Sequence, residues 1–275
     1  MTHDSAQRGL AEQFHRLHDD VLVLPNAWDA PSARMVARAG AAAVASTSAG
    51  VAWSRGVADA GGLDRTTALD AAARMVAAVA VPVTVDIEWG YPDEPGGIDA
   101  TIAGVIRSGA VGINLEDFRG GAPVAVESQA ELIRTVVAAV DASPVPLFVN
   151  ARVDTYLSGG EGESPSSMLA DAVSRAQQYV AAGAHGVFVP GISDTDDIRT
   201  LVTAVDAPLN IMAGSGSAPV EEFAALGVRR ISTGPQLAMS AYGEVMVWVR
   251  SILGSGSFDQ LPVGAAPSEL HGPRR

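Results

Sequence analysis

The sequence predicts a (β/α)8 TIM barrel, and three observations carry that expectation. Short apolar runs rich in Val and Ile recur eight times, segments with helical spacing fall between them, and several runs end in an acid or polar cluster. The clusters are VTVDIEWG (residues 83–90), GINLED (112–117) and FVNARVD (148–154). Apolar runs of this length between helical patterns read as parallel strands buried on both faces. Ligands of such folds bind beyond the carboxyl ends of the strands, so the clusters converge on one site. A doubly wound open sheet shares these signals, because closure is not written in periodicity.

The elements follow in order. VLVLP (21–25) is the first strand, and Asp29 then caps a helix APSARMVARAG in which Gly40 is the stop. AAVAST (42–47) is the second strand, after which the AGG at 60–62 leads into LDRTTALDAAARMVAAVA. VPVTVDIE (81–88), a strand ending at Glu116, and PLFVNAR (146–152) alternate with GIDATIAGVIRSGA, ESQAELIRTVVAAVD and PSSMLADAVSRAQQYVAAGA. GVFVP (186–190), PLNIM (208–212) and VRRIST (228–233) complete the eight, separated by TDDIRTLVTAV and APVEEFAALG. PQLAMSAYGEVMVWVRSILG is the last helix of a single domain over 1–253. Residues 254–275 mix Gly, Ser and Pro without periodicity and read as a flexible tail.

Composition removes whole classes of chemistry. Eighteen basic residues against 31 acidic ones give a formal charge of −13, which disfavours nucleic acid and anionic membrane as partners. All 18 bases are arginine, so Schiff-base, P-loop lysine and pyridoxal phosphate chemistry are excluded. With no cysteine, thiolate nucleophiles, disulfides and Cys-ligated zinc are excluded as well. No signal sequence or apolar span of membrane length is evident, and a soluble cytoplasmic protein is the expectation.

Alternation along a strand puts Thr84, Asp86 and Glu88 on one face, Asn114 and Glu116 on another, and Asn150, Arg152 and Asp154 on a third. Charged groups inside a strand are expensive unless paired or bound to metal. Three acids on consecutive strands beside Arg152 suit a hard divalent cation, Mg²⁺ or Mn²⁺, held partly through water. Asp117 and Asp154 are expected to pair with Arg152 or to cap helices, and His185, at the amino end of its strand, to be structural.

The segments LPNAWDAPSAR, TSAGVAWSRGVAD, VDIEWGY, INLED, NARVDTY and GVRRISTG, in this order, resemble the isocitrate lyase and phosphoenolpyruvate mutase superfamily over about residues 21–250. The resemblance implies a barrel that exchanges its last helix with a neighbour, usually in a dimer of dimers, and a Mg²⁺-bound 2-oxo acid or enolate. It implies Asp86 as the acid nearest the metal, with Glu88 and Glu116 acting mainly through water. Ser48, Ala49 and Gly50 would hold the substrate carboxylate and enolate oxygen, and Arg152 would grip a carboxylate or steady enolate charge. Asp59 matches an acid of the loop after the second strand, with a catalytic role, and Asn210 a polar residue after the seventh, with a substrate-binding one.

The departures bear on which bond breaks. Glu116-Asp117 is followed by FRGGAPVAVESQAEL, which lacks the Lys and Cys of the lyases' gating loop and the longer loop of the phosphonate enzymes. Val189-Pro190-Gly191 and the GSGS at 214–217 replace acidic stretches. The expected activity is therefore a Mg²⁺-dependent lyase that breaks a C–C bond of a small 2-oxo or 2-hydroxy dicarboxylate, oxaloacetate being the simplest. Protons would move through a water held by Glu88 or Glu116, or through Arg119. P–C bond chemistry on a phosphonopyruvate-like compound and a non-catalytic 2-oxo acid binder are the alternatives.

Overall fold

In the computed structural model, residues 3–159 and 164–271 are described; residues 1–2, 160–163 and the end of the expected tail, 272–275, lie outside them. The chain opens with α1 (His3–Arg16), then runs β1 (Leu22–Leu24), β2 (Asn26–Ala27), α2 (Ala30–Arg38), β3 (Val44–Ser46), α3 (Ser48–Ser54) and α4 (Arg65–Val76). It continues through β4 (Val83–Asp86), α5 (Gly97–Ser108), β5 (Gly112–Glu116), a small hairpin of β6 (Phe118–Arg119) and β7 (Ala122–Pro123), and α6 (Val126–Asp141). Next come β8 (Phe148–Arg152), α7 (Thr155–Ser158), α8 (Pro165–Ala181), β9 (Gly186–Val189), α9 (Thr195–Ala204), β10 (Leu209–Met212), α10 (Val220–Leu226) and β11 (Arg230–Ser232). The last two elements are α11 (Gln236–Ser255) and α12 (Pro267–His271).

The strands follow the order β1-β11-β10-β9-β8-β5-β4-β3-β2, every pair parallel. Its two ends, β1 and β2, are consecutive in the chain with only Pro25 between them, so the sheet closes on itself. The fold is a (β/α)8 barrel whose first stave is split in two. Proline explains the split, since it has no N–H to give to a ladder. All eight expected staves are present, and the open-sheet alternative falls.

Local rules set most helix starts. Asp29 and Ser32 form a reciprocal capping box at α2, and the carboxylates of Asp64 and Asp194 and the Ser164 hydroxyl accept first-turn amides of α4, α9 and α8. Val85, Ile113, Val149, Val187 and Ile211, one per stave, are buried beneath the surrounding helices.

Helix α1, the short helices α3, α7 and α12 and the β6–β7 hairpin were not expected from the sequence, and α12 falls in the stretch read as a flexible tail. Helix α1 packs against β8, burying Ala11 and Phe14, and the Gln7 amide ties it to the end of α5 through the carbonyls of Ile106 and Ala110. The Phe148 ring stacks on His18 at 4.0 Å and meets Phe14 edge-on at 5.7 Å. His185 belongs to this cluster, accepting the Val149 amide at its Nδ1, and is thus structural as expected. At the other terminus, α12 lies on α2, with the Arg34 guanidinium donating to the Leu270 carbonyl at 2.7 Å.

Candidate active site

Strands β4, β5 and β8 deliver Asp86, Glu116 and Arg152 from their carboxyl ends, and adjacent register brings the three together. Arg152 is the hub. Its Nη1 lies 2.8 Å from Glu116 Oε2 and 3.6 Å from Asp86 Oδ2, while its Nε donates to Asp154 Oδ1 at 2.7 Å. Asp154 therefore takes the pairing role expected of it. Asp117 does not reach Arg152 side chain to side chain: it accepts from Arg175 at 3.0 Å and from the Tyr179 hydroxyl at 2.7 Å, and its other oxygen accepts the Asp154 amide.

Electrostatics mark the cluster as short of positive charge. Burial pushes the Glu116 carboxyl up to about 9 and raises that of Asp86, with Arg152 opposing both shifts. Burial also moves Asp154 up to about 6 and Glu88 up to about 7. Arg152 in turn has burial working against its charge, but Asp154, Glu116 and Asp86 outweigh it and hold the guanidinium protonated. Several acids surrounding a single arginine is a pattern typical of functional sites.

Glu88 departs from the alternation expected of it. Strand β4 ends at Asp86, and Glu88 turns into the left-handed region with φ of 50°, uncommon for a residue with a side chain. Its Oε1 accepts from the Tyr91 hydroxyl at 2.8 Å and its Oε2 from the Gly61 amide at 2.9 Å. Gly61 has φ of 110°, which a side chain would resist. Glu88 thus ties the loop after α3 to the end of β4. That loop carries Asp59, an exposed residue on the rim of the pocket.

Two adjoining cavities of about 180 and 200 Å³ meet at Asp59, Arg152 and Leu157. Ser48, Ala49, Asp86 and Asn114 line the larger one, and Glu116 and Asp154 the smaller. Leu157, Phe188, Pro190, Met212 and Pro235 also line the larger one, with the Arg152 guanidinium 5.9 Å from the centre of the Phe188 ring. Ser48 and Ala49 open α3, where first-turn amides have no carbonyl four residues back within the helix. Gly50 lies behind them: its amide faces Thr47 Oγ1 at 3.4 Å, and a Cβ there would come within 2.8 Å of Trp28. Gly50 sets the close packing of this turn and does not line either cavity.

Asn210 is not in the pocket wall. It lies within β10, wholly buried, with its Nδ2 donating to the Ile211 carbonyl and Ser232 Oγ and its Oδ1 accepting from Asn150. Arg119 is paired with Asp93 and lines neither cavity. Phe188 and Leu157, apolar residues without a motif, gave no signal in the sequence. Asn114 did, by sharing a face with Glu116.

Among the described residues no three acidic or histidine side chains converge as ligands of a metal ion. The donor chemistry nevertheless fits a hard cation at Asp86 and Glu116: both are buried carboxylates raised by burial, and Asp86 Oδ2 is only loosely paired with Arg152. Glu88 fits less well, since each of its oxygens already accepts a protein donor.

A family model described as phosphoenolpyruvate phosphomutase matches residues 14–253, nearly the whole barrel. The chain belongs to that family. Within it, an uncharacterised protein of Mycobacterium tuberculosis strain H37Rv is 38% identical over 223 residues, covering 80% of this chain and 81% of that one. The solved structure of a candidate lyase/mutase from Burkholderia cenocepacia J2315 is 38% identical with a TM-score of 0.86, covering 94% of each chain. An oxaloacetate decarboxylase of Bradyrhizobium sp. is 28% identical over 204 residues, 72% of this chain and 65% of that one. Family membership makes a lyase or mutase class of enzyme the coarse assignment.

Proposed function

We propose that the protein is a divalent-cation-dependent C–C lyase that decarboxylates, or cleaves by retro-aldol chemistry, a small oxaloacetate-like acid through a pyruvate-type enolate. One observation carries the reading: Arg152 is the one cationic side chain lining a cavity of about 200 Å³ that sets Asp86, Asn114 and Ser48 beside the apolar Leu157, Phe188, Pro190 and Met212. Arg152 can pair one substrate carboxylate. A second carboxylate would then lie against Leu157, Phe188, Pro190 and Met212, where its charge is poorly solvated and departure as neutral CO2 is favoured. The amides of Ser48 and Ala49, residues that open α3 and line the cavity, would donate to the oxygen on which charge develops.

Asp86 and Glu116 are the residues that would hold the cation, Mg²⁺ or Mn²⁺, with Glu88 behind them. When bound, the ion supplies positive charge that polarises the 2-oxo acid. Asp59, exposed on the rim, would close over the substrate from the loop that Glu88 anchors. The stretch after Glu116-Asp117 is shorter than the loop of the phosphonate enzymes, so P–C chemistry is the weaker reading. The test is a panel of 2-oxo, 2-hydroxy and phosphono acids followed by NMR with Mg²⁺ present. Pyruvate from a four-carbon acid is the expected product; phosphate release would favour the phosphonate alternative, and binding without turnover would reduce the protein to a 2-oxo acid binder.

The same reading includes a cytoplasmic homo-oligomer, built as a dimer of dimers. Support comes from α11, which leaves Met239, Val245, Met246, Val247 and Leu253 about half or more exposed. An outer barrel stave is normally covered by a helix. Here Val23 of β1 is 41% exposed and opens on a groove of about 880 Å³ shared with Met35, Val36 and Leu237. An uncovered stave and an uncovered apolar helix in one chain fit exchange of α11 between subunits.

A further inference from the structure

The chain has four asparagines, Asn26, Asn114, Asn150 and Asn210, and all are at least 95% buried inside the barrel. Three of them use their Nδ2 within the protein. Asn26 donates to the Ser46 carbonyl at 2.7 Å, Asn150 to Asn114 Oδ1 at 2.9 Å and Asn210 Oδ1 at 3.1 Å, and Asn210 to Ser232 Oγ at 3.0 Å. Asn114 alone among them donates to no described protein atom.

The orientation of that side chain is decided by chemistry. Its Oδ1 accepts from Asn150 and, at 3.1 Å, from Nη2 of Arg230. A guanidinium has donors only, so the atom facing it must be the carbonyl oxygen and the Nδ2 must point the other way. Asn114 lines the larger cavity and pairs in register with Asp86 on the neighbouring strand.

The choice of amide over acid is the telling part. Arg230 is 1% exposed, makes no ion pair among the described residues, and leaves Nε and Nη1 without partners. An aspartate at position 114 would give this buried cation a counter-charge. It would also turn an acceptor and a negative charge toward the cavity, where an anionic ligand would be repelled. An asparagine keeps the oxygen for Arg230 and frees a donor for the cavity. An unpartnered amide in that place costs free energy unless a ligand or water accepts from it.

We infer that Asn114 is a substrate-contacting residue whose Nδ2 donates to an oxygen of the bound 2-oxo acid, with Arg230 and Asn150 as the positioning residues that lock its amide. The inference rests on the 2-oxo acid reading and adds to it an uncharged donor beside Asp86. Such a donor distinguishes the oxygens of a planar 2-oxo acid without adding charge to the site.

The test uses the full chain labelled with ¹⁵N-asparagine, which gives four side-chain NH2 pairs, with oxalate as the planar probe and Mg²⁺ present throughout. The Asn114 pair is assigned by its absence in Asn114→Asp, or in Asn114→Ser should the aspartate fail to fold. Oxalate is expected to move one proton of that pair downfield, as a new hydrogen bond does, and to bind the variant on the order of tenfold to a hundredfold more weakly by calorimetry. Oxalate binding that leaves the Asn114 pair unmoved, or binds the variant equally well, overturns this inference and spares the proposed function. No oxalate binding by the unaltered protein overturns both.

Discussion

Arg152 touches three carboxylates, and its planar fork is what allows one side chain to do so. An Arg152→Lys variant keeps the charge and loses the fork. Its kcat/KM for the substrate should fall on the order of tenfold to a hundredfold, while an activity within a factor of about two of the unaltered enzyme would remove Arg152 from the site. At this scale the sequence was legible where strand alternation holds: Asp86, Glu116 and Arg152 do converge. It misled at Glu88, because alternation stops where β4 stops, and no periodicity shows that the next residues turn to positive φ. It misled at Asn210 because a polar residue near a strand end can satisfy the barrel interior as readily as a ligand. Asp117 and Asp154 look alike in sequence, each following a strand end, yet they take different arginines.

Two contacts between elements have measurable consequences. Arg175 of α8 binds Asp117 at the end of β5, the Val124 carbonyl after the hairpin and Asp171 on its own helix, and Asp171 accepts from Thr155 at the start of α7. Arg175→Met leaves the buried Asp117 with one side-chain partner, Tyr179, and should lower stability by about 3 kcal/mol in denaturant titration. No loss of stability would make this network incidental. The second contact is α1 against β8, an element whose polar sequence hid its role as a cover for buried rings. Burial lowers His18 to about 3 and His185 to about 4 from the ordinary 6.5. Both fold as neutral rings, so the stability they allow is complete above pH 6.5 and is lost as the pH falls through 6.5 toward 4, where the unfolded chain takes up protons the folded one refuses. His185→Gln should flatten the pH dependence of Tm between 6.5 and 4; an unchanged slope would exclude His185 as a source of acid lability. The long helices between strands were legible from spacing and caps, whereas α1, the short helices α3, α7 and α12 and the β6–β7 hairpin were not. None of these has the period or the turn signal that marks an independent element.

At the scale of the molecule, alternation of strand and helix predicted the barrel, and the chain's own closure at Pro25 confirms it. Association is written less plainly, since an apolar helix reads the same whether it covers its own barrel or a neighbour's. Val245→Glu and Leu253→Glu together place charge on the exposed face of α11 and should convert an oligomer to monomers in sedimentation; a monomeric unaltered protein would refute exchange. Fold and family follow from pattern, but the pocket's apolar residues, Leu157, Phe188, Pro190, Met212 and Pro235, come from separate loops and strands and carry no motif. The most direct measurement is the rate at which oxaloacetate yields pyruvate and CO2 with Mg²⁺, compared among the unaltered protein, Asp86→Ala and Mg²⁺ alone. The protein should exceed the metal-only rate on the order of a hundredfold or more, and Asp86→Ala should return to that background. Equal rates for the protein and the Asp86→Ala variant would contradict a metal and enolate site at Asp86, Glu116 and Arg152.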